Sequence, residues 1–274
     1  MCLLARRWWK AYWHGRAYSS MRFLCVSDQI DPLIYSTVLK ERYDDVDAVF
    51  CAGDLPMDYV DFIVTSLGKP TYFVFGNHDL TEFDYYRRGG KADPTPSAPF
   101  GDPTLSHAHG GDYVSNKSLR VKKLSFKLPN GSSTPLLIAG VSGSIRYNNG
   151  KDQYTEGEMK RQLLFLAPQL IWNKIRYGRY CDVFLTHASP RHIHDKEDAC
   201  HKGFECFNWF IQKFKPALLM HGHIHLYDLA TPRTTVSDMT TVVNVYSHIV
   251  IDFNPIFSDK GSYANSNITI LSDR

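Results

Sequence analysis

The 274-residue chain has no Cys-x-x-Cys pair, no internal repeat and no large excess of charge of either sign. It also has no apolar run near the roughly 18 residues needed to span a bilayer. Each absence removes a class of function. Six cysteines without close pairing, of which Cys25, Cys51 and Cys181 sit inside apolar runs, are expected as reduced, buried thiols of a cytoplasmic protein rather than a disulfide framework. The missing apolar run leaves no transmembrane segment. A net charge of +3 from 31 basic and 28 acidic residues is too balanced to point to nucleic acid or a membrane by itself. What remains, with 43% hydrophobic and 22% charged residues, is ordinary globular material for one large domain or two small ones.

Residues 1–20, MCLLARRWWKAYWHGRAYSS, carry four basic residues and no acidic ones. Their arginines and lysine interrupt any continuous apolar core, which excludes a secretory signal. The segment is read as a basic aromatic tail, with three uses open: a disordered extension, an interfacial amphipathic anchor, or sequence upstream of a start at Met21. A single domain is expected over 21–256 and a C-terminal tail over 257–274.

Along the domain one device repeats: an apolar, β-branched or aromatic run ends in a residue of metal-binding type. RFLCV leads to Asp28, DAVFCA to Gly53 and Asp54, TYFVF to Gly76, Asn77 and His78, DVFLT to His187, and ALLM to His221, His223 and His225. Short apolar runs bounded by turns are buried strands. In layered α/β folds the loops beyond the carboxyl ends of such strands converge on one crevice.

The connecting helices are also legible. Asp31 before Pro32 predicts an N-cap opening PLIYSTVLKERY. MDYVDFIVTSLG predicts a helix closed by Gly68. Thr155 and Glu158 have capping-box spacing before EMKRQLLFLAPQLIWNKIRYG, which Pro168 is expected to kink or divide. GFECFNWFIQKFK places Phe207, Phe210, Ile211 and Phe214 on one face. Residues 88–116, rich in Gly, Pro, Ser and Asp, predict a long loop overhanging the site, and LRVKKLSF, PLLIAGVSG and TTVVNVYSHIVIDF predict a second sheet.

In order and local context Asp28, Asp54, Asn77, His78, His187, His223 and His225 resemble the calcineurin-like metallophosphoesterase superfamily. Its pattern is Asp-x-His, Gly-Asp, Gly-Asn-His-Asp or Glu, His, and Gly-His-x-His. The resemblance implies an α/β, four-layer αββα sandwich: two mixed β-sheets face to face, helices outside, and the site at the strand ends on one edge. It implies two divalent ions, Mn, Fe or Zn, clamping a phosphate and activating water. It gives Asp54 the bridging position, Asp28 and His225 one ion, and Asn77, His187 and His223 the other, leaving His78 free to protonate the leaving oxygen. His221 falls outside the matched positions and is read as a hydrogen-bonded surface histidine.

This chain departs from the pattern at Ile30, which stands where Asp-x-His would put histidine. Asp31 is either an oxygen ligand in its place or a helix cap, and Pro32 favours the cap. Asp28, Asp54 and His225 with water would still suffice for a catalytic ion. GDLPMDY lacks the further Asp-Arg-Gly of the superfamily's protein Ser/Thr phosphatases, which argues against a phosphoprotein substrate. SDQIDPLIYS and RHIHDKEDACHKGF look like a narrower bacterial subgroup with an aspartate at position 31. His194, Asp195, Asp198 and His201 in that second stretch either line a phosphate pocket or belong to a charged, solvated loop, the reading favoured for most of them. Arg146 in GSIRY is either a phosphate clamp or a surface arginine. A metal-dependent phosphoesterase acting on a small phosphorylated mono- or diester is therefore expected. The alternatives are a binding scaffold that has lost turnover and a nuclease; neither a basic stripe nor aromatic platforms beside the motifs support the nuclease. Oligomeric state is left open.

Overall fold

The computed structural model describes residues 17–18, 20–78, 80, 83–87, 110–228 and 231–271. Nearly all of the basic tail, residues 88–109 of the expected loop, and Asp79 lie outside them. In chain order the strands are β1 (Ala17–Tyr18), β2 (Met21–Ser27), β3 (Ala48–Cys51), β4 (Thr71–Phe73), β5 (Asp112–Tyr113), β6 (Lys117–Lys127), β7 (Ser133–Gly140), β8 (Ser144–Ile145), β9 (Gln153–Tyr154), β10 (Val183–Leu185), β11 (Leu218–His221), β12 (Thr234–Ser237), β13 (Thr240–Asn244), β14 (Ser247–Phe257) and β15 (Tyr263–Leu271). The helices are α1 (Leu39–Tyr43), α2 (Met57–Leu67), α3 (Phe83–Arg87), α4 (Glu156–Tyr177) and α5 (Glu205–Phe214).

One sheet runs β1-β6-β7-β10-β11-β13-β12 and the other β15-β14-β2-β3-β4-β5, with β8 and β9 pairing separately. Each is parallel at its centre and antiparallel toward an edge, so both are mixed. Strict alternation along the strands builds the layers. Phe23, Cys25, Phe50, Ile138, Leu185 and Met220 face inward into a core shared by the two sheets. Leu24, Val26, Val49 and Cys51 face outward beneath Val60 and Ile63 of α2. Leu137, Phe184 and Leu219 face outward beneath Leu163, Leu166, Phe207 and Phe210 of α4 and α5. Three apolar layers between four layers of structure make the expected αββα sandwich.

The helix signals hold where local chemistry dominates. α2 ends at Gly68, whose φ of 62° only glycine adopts cheaply. Thr155 and Glu158 form the reciprocal capping box of α4. Three expectations are corrected. The stretch from Pro32 to Val38 is a run of turns, and helix begins only at Leu39. Asp31 accepts the Leu33 N–H at 2.8 Å and binds His248 and Ser247 on β14, bonds that pin the segment to the sheet and outweigh its helix propensity. Pro168 neither divides nor ends the 22-residue α4; the carbonyl it orphans belongs to Leu164, which is half exposed and can be satisfied by water. Residues 263–271, expected as part of a tail, form β15 and complete an edge of the six-stranded sheet against β14.

TTVVNVYSHIVIDF divides between the sheets: β13 belongs to one and β14 to the other, with Ser247 at φ 65° at the crossing. The sheets come closest where β3 and β4 end. A Cβ on Gly53 would lie 2.6 Å from both Gly76 N and His187 Nδ1, and one on Gly76 would lie 2.0 Å from Asp54 Oδ1. Asp54 and His187 are both held by hydrogen bonds, so neither can retreat. Gly76→Ala is expected to destabilise the fold by about 1–3 kcal/mol, as overpacking does, and to weaken metal binding as well; denaturant unfolding and metal titration of the variant check both.

Candidate metal centre

Asp28, Asp54, Asn77, His78, His187, His223 and His225 all follow the carboxyl ends of β2, β3, β4, β10 or β11, three strands of one sheet and two of the other. Three of them leave their strands in the left-handed backbone region: Asp28 at φ 67°, Asp54 at 52° and His223 at 67°. Such a conformation costs a non-glycine residue on the order of 1–3 kcal/mol. It turns the chain sharply enough to aim the side chain back across the strand ends.

Asp54, His187 and His223 bring a carboxylate oxygen and two ring nitrogens to one point, all three residues buried. His187 Nε2 lies 3.3 Å from Asp54 Oδ2 and 3.0 Å from His223 Nδ1. The far nitrogen of each ring is committed to a backbone carbonyl: His187 Nδ1–H donates to Ala52 at 2.8 Å, and His223 Nε2–H donates to Cys200 at 2.6 Å. A carbonyl can only accept, so these bonds fix the tautomers and turn the lone pairs of Nε2 and Nδ1 inward, as metal-binding histidines require. Asn77 adds a further sign. Its Nδ2 donates to the Tyr147 hydroxyl at 3.2 Å, whereas its buried Oδ1 has no partner among the described residues. An orphaned buried oxygen is costly, and a cation beside Gly76 and Asp54 would satisfy it. The donor set therefore fits a divalent ion.

Asp28 and His225, the other expected ligands, lie close to one another. The fully buried Asp28 carboxylate accepts the His223 backbone N–H at 2.8 and 3.0 Å. His225 turns its Nε2 toward Asp28 Oδ1 at 3.8 Å, its Nδ1 paired with the Tyr227 hydroxyl and its ring stacked on Tyr246. Ile30 is exposed, and no histidine among the described residues takes its place beside Asp28 apart from His225. Asp31 is spent elsewhere: its carboxylate takes Leu33, Ser247 and His248, and His248 Nε2 pairs with the Tyr43 hydroxyl. Burial works against its charge, yet these bonds hold its carboxyl well below the usual range. It caps a turn and anchors β14, and these bonds direct it away from the centre.

The electrostatics follow from the same contacts. Burial opposes ionisation of Asp54, but the His187 charge and hydrogen bond outweigh it and lower its carboxyl. Burial likewise opposes charge on His187, yet the facing Asp54 pushes it up to about 9. Burial and the neighbouring His187 push His223 down to about 3, and burial raises Asp28. In the ion-free protein a proton on His187 thus occupies the place of a cation.

His78 is exposed, and its backbone N–H donates to Asp54 Oδ1 at 2.7 Å. The remaining candidates divide. The His201 ring packs on His223 at 5.4 Å, with its Nδ1 held by Asp198 at 2.8 Å, which places it beside the centre. His194 is not at the phosphate pocket: it bonds buried His221 at 3.0 Å and Thr235 at 2.9 Å. His221, expected at the surface, is instead fully buried at the end of β11, where it donates to the Gly222 carbonyl. Arg146 is taken up by Glu158 of the α4 capping box at 2.9 Å and is not presented as a phosphate clamp. The residue of that stretch that reaches the centre is its neighbour Tyr147, which carries no charge and so does not stand out in the sequence. The Ala52 and Cys200 carbonyls are equally invisible there, since a main-chain acceptor has no residue type.

A family model described as calcineurin-like phosphoesterase matches residues 13–227. No curated protein matches the chain. Among solved structures, the protein TT1561 of Thermus thermophilus is 14% identical, with a TM-score of 0.50 over 92% of this chain and 99% of that one. A 5'-nucleotidase precursor from Thermus thermophilus is 13% identical, with a TM-score of 0.45 over 92% of this chain and 54% of that one. The TT1561 likeness concerns the fold; membership rests on the family model, which spans most of the domain that carries these strand-end residues: the chain belongs to the calcineurin-like phosphoesterase family.

Proposed function

We propose that the chain is a metal-dependent phosphoesterase that hydrolyses a small phosphorylated mono- or diester. The observation that carries this reading is the convergence of Asp54, His187 and His223 beside the unpartnered Asn77 Oδ1. Asn77, His187 and His223 would hold one ion, Asp28 and His225 the other, with Asp54 between. Mn, Fe or Zn suits this mixture of oxygen and nitrogen donors. The chemistry such a pair supplies when bound is neutralisation of phosphoryl charge and activation of a water.

The protein's own groups do the rest. Asp54 takes the His78 N–H on Oδ1 and faces His187 through Oδ2, so one carboxylate both spans the centre and fixes the backbone of His78. That leaves the exposed His78 imidazole to hold a proton at the mouth and deliver it to the departing oxygen. His201, packed on His223, is placed to face a bound phosphate. The buried free thiols Cys25, Cys51, Cys181 and Cys206 support work in a reducing compartment such as the cytoplasm. No helix among the described residues is long and apolar enough to cross a membrane.

Metal analysis of the purified protein, with hydrolysis of bis-p-nitrophenyl phosphate and p-nitrophenyl phosphate followed as Mn is added, tests the reading. Two ions per chain with turnover are expected; no turnover on any ion would favour a scaffold that keeps the fold. His78→Ala should lower kcat about 10²–10⁴-fold on alkyl phosphoesters, and less on nitrophenyl esters, whose leaving group needs no proton. Ion content should be unchanged.

Metal affinity should also depend on pH. Binding must displace the proton of His187, raised to about 9, while His223, lowered to about 3, is already neutral. Apparent affinity should therefore climb about tenfold per pH unit below about 9 and level off above it. The ion-free fold should behave oppositely: the stability from the raised His187 is complete below the ordinary histidine value near 6.5 and is lost as pH rises through about 9. Calorimetric titration and thermal unfolding across this window measure the two trends.

A further inference from the structure

α4 packs across β6 and β7, burying Met159, Leu163, Leu166, Leu170 and Asn173. Its opposite side is apolar as well. Leu164, Phe165, Ile171, Trp172 and Ile175 are 52%, 71%, 50%, 56% and 74% exposed. At about 100° per residue these five and Pro168 fall within one arc roughly 120° wide, diametrically opposed to the buried arc, and extend about 17 Å along the axis. Single exposed apolar side chains need no explanation, but a continuous stripe marks a surface that meets something apolar.

The charges along the stripe are mostly basic, and Glu158, which shares a cavity with Phe165 at its N-terminal end, is paired with Arg146. From Met159 to Tyr177 there is no aspartate or glutamate, while Lys160, Arg161, Lys174 and Arg176 are exposed. Arg120 of β6 donates from Nε to Asn173 Oδ1 at 2.7 Å, which sets the exposed Lys117, Arg120, Lys122 and Lys123 of that strand alongside the helix. A second copy of the chain laid on this face would bring lysines and arginines together, with the nearby acidic Glu158 already paired with Arg146. An anionic lipid surface would not: its headgroups would meet the basic rim, its acyl boundary would meet the stripe, and Trp172 would sit at the interface that indole rings favour. The sequence of residues 1–16, with four basic residues, no acidic ones and three tryptophans, has the same chemistry. It leads into β1, which pairs with β6, the strand that α4 crosses.

We propose that the outer face of α4 docks the protein on anionic membrane surfaces. The inference is independent of the hydrolytic reading, and its test needs no metal. Full-length protein is sedimented with vesicles of phosphatidylcholine and with vesicles of phosphatidylcholine mixed with phosphatidylglycerol. Binding to the mixed vesicles should exceed binding to the neutral ones by about tenfold or more and weaken as salt is raised. The triple variant Phe165→Ser, Trp172→Ser, Ile175→Ser, at positions exposed in the folded chain, should keep its circular dichroism and lose binding by about tenfold or more. Absence of binding to the mixed vesicles would overturn the proposal, as would equal binding by the triple variant, which would assign the contact to another part of the chain. A dimer in solution that the same substitutions dissolve would also overturn it, since the face would then be covered by a second copy.

Discussion

The two sheets meet at the centre through hydrogen bonds made by the side chains proposed as cation ligands. Asp28, on the six-stranded sheet, accepts the backbone N–H of His223 beyond the seven-stranded one. His187 returns the connection by donating to the Ala52 carbonyl. Each bond closes a contact between sheets and fixes the direction of a proposed metal donor at the same time. The left-handed turns at Asp28, Asp54 and His223 persist because these bonds over-determine them. The glycines at 53 and 76 are the steric counterpart, since any Cβ there would push the sheets apart.

How much of this could be read in advance depends on the range of the interaction. Strands were legible because alternation such as Phe23 and Cys25 inward, Leu24 and Val26 outward is a local property, and the motif residues end those strands. The ends of α2 and α4 were legible because glycine and the Thr155–Glu158 pair act within a few residues. The Asp31 segment misled because its deciding partners, Ser247 and His248, are more than 200 positions away. A proline that follows an aspartate looks the same whether the carboxylate caps a helix or pins a strand. Arg146 and His194 misled for a related reason: both have the right donors for phosphate, and both are occupied by neighbours, Glu158 and His221, that no spacing announces.

Asp31 also bears on the missing histidine. Its bonds to Leu33, Ser247 and His248 hold the loop after β2 against β14 while Ile30 faces solvent. The position beside Asp28 is thus left more open than its neighbour, where Asp54, His187 and His223 are all buried. If the proposed pair of ions is bound, two positions of such unequal enclosure should differ in how tightly they keep an ion.

The crossing of the chain from β13 to β14 sets the order in which the protein can be made. β14 lies between the edge strand β15 and β2 in the six-stranded sheet, and it pairs Phe23 with Ile251. During synthesis β2, β3 and β4 must wait with one edge of β2 unpaired until residues 247–257 have left the ribosome. Pairings so distant in sequence close slowly, and an apolar strand edge kept waiting is open to association with other chains. Early residues of this protein are therefore natural clients for chaperones that bind the chain as it emerges.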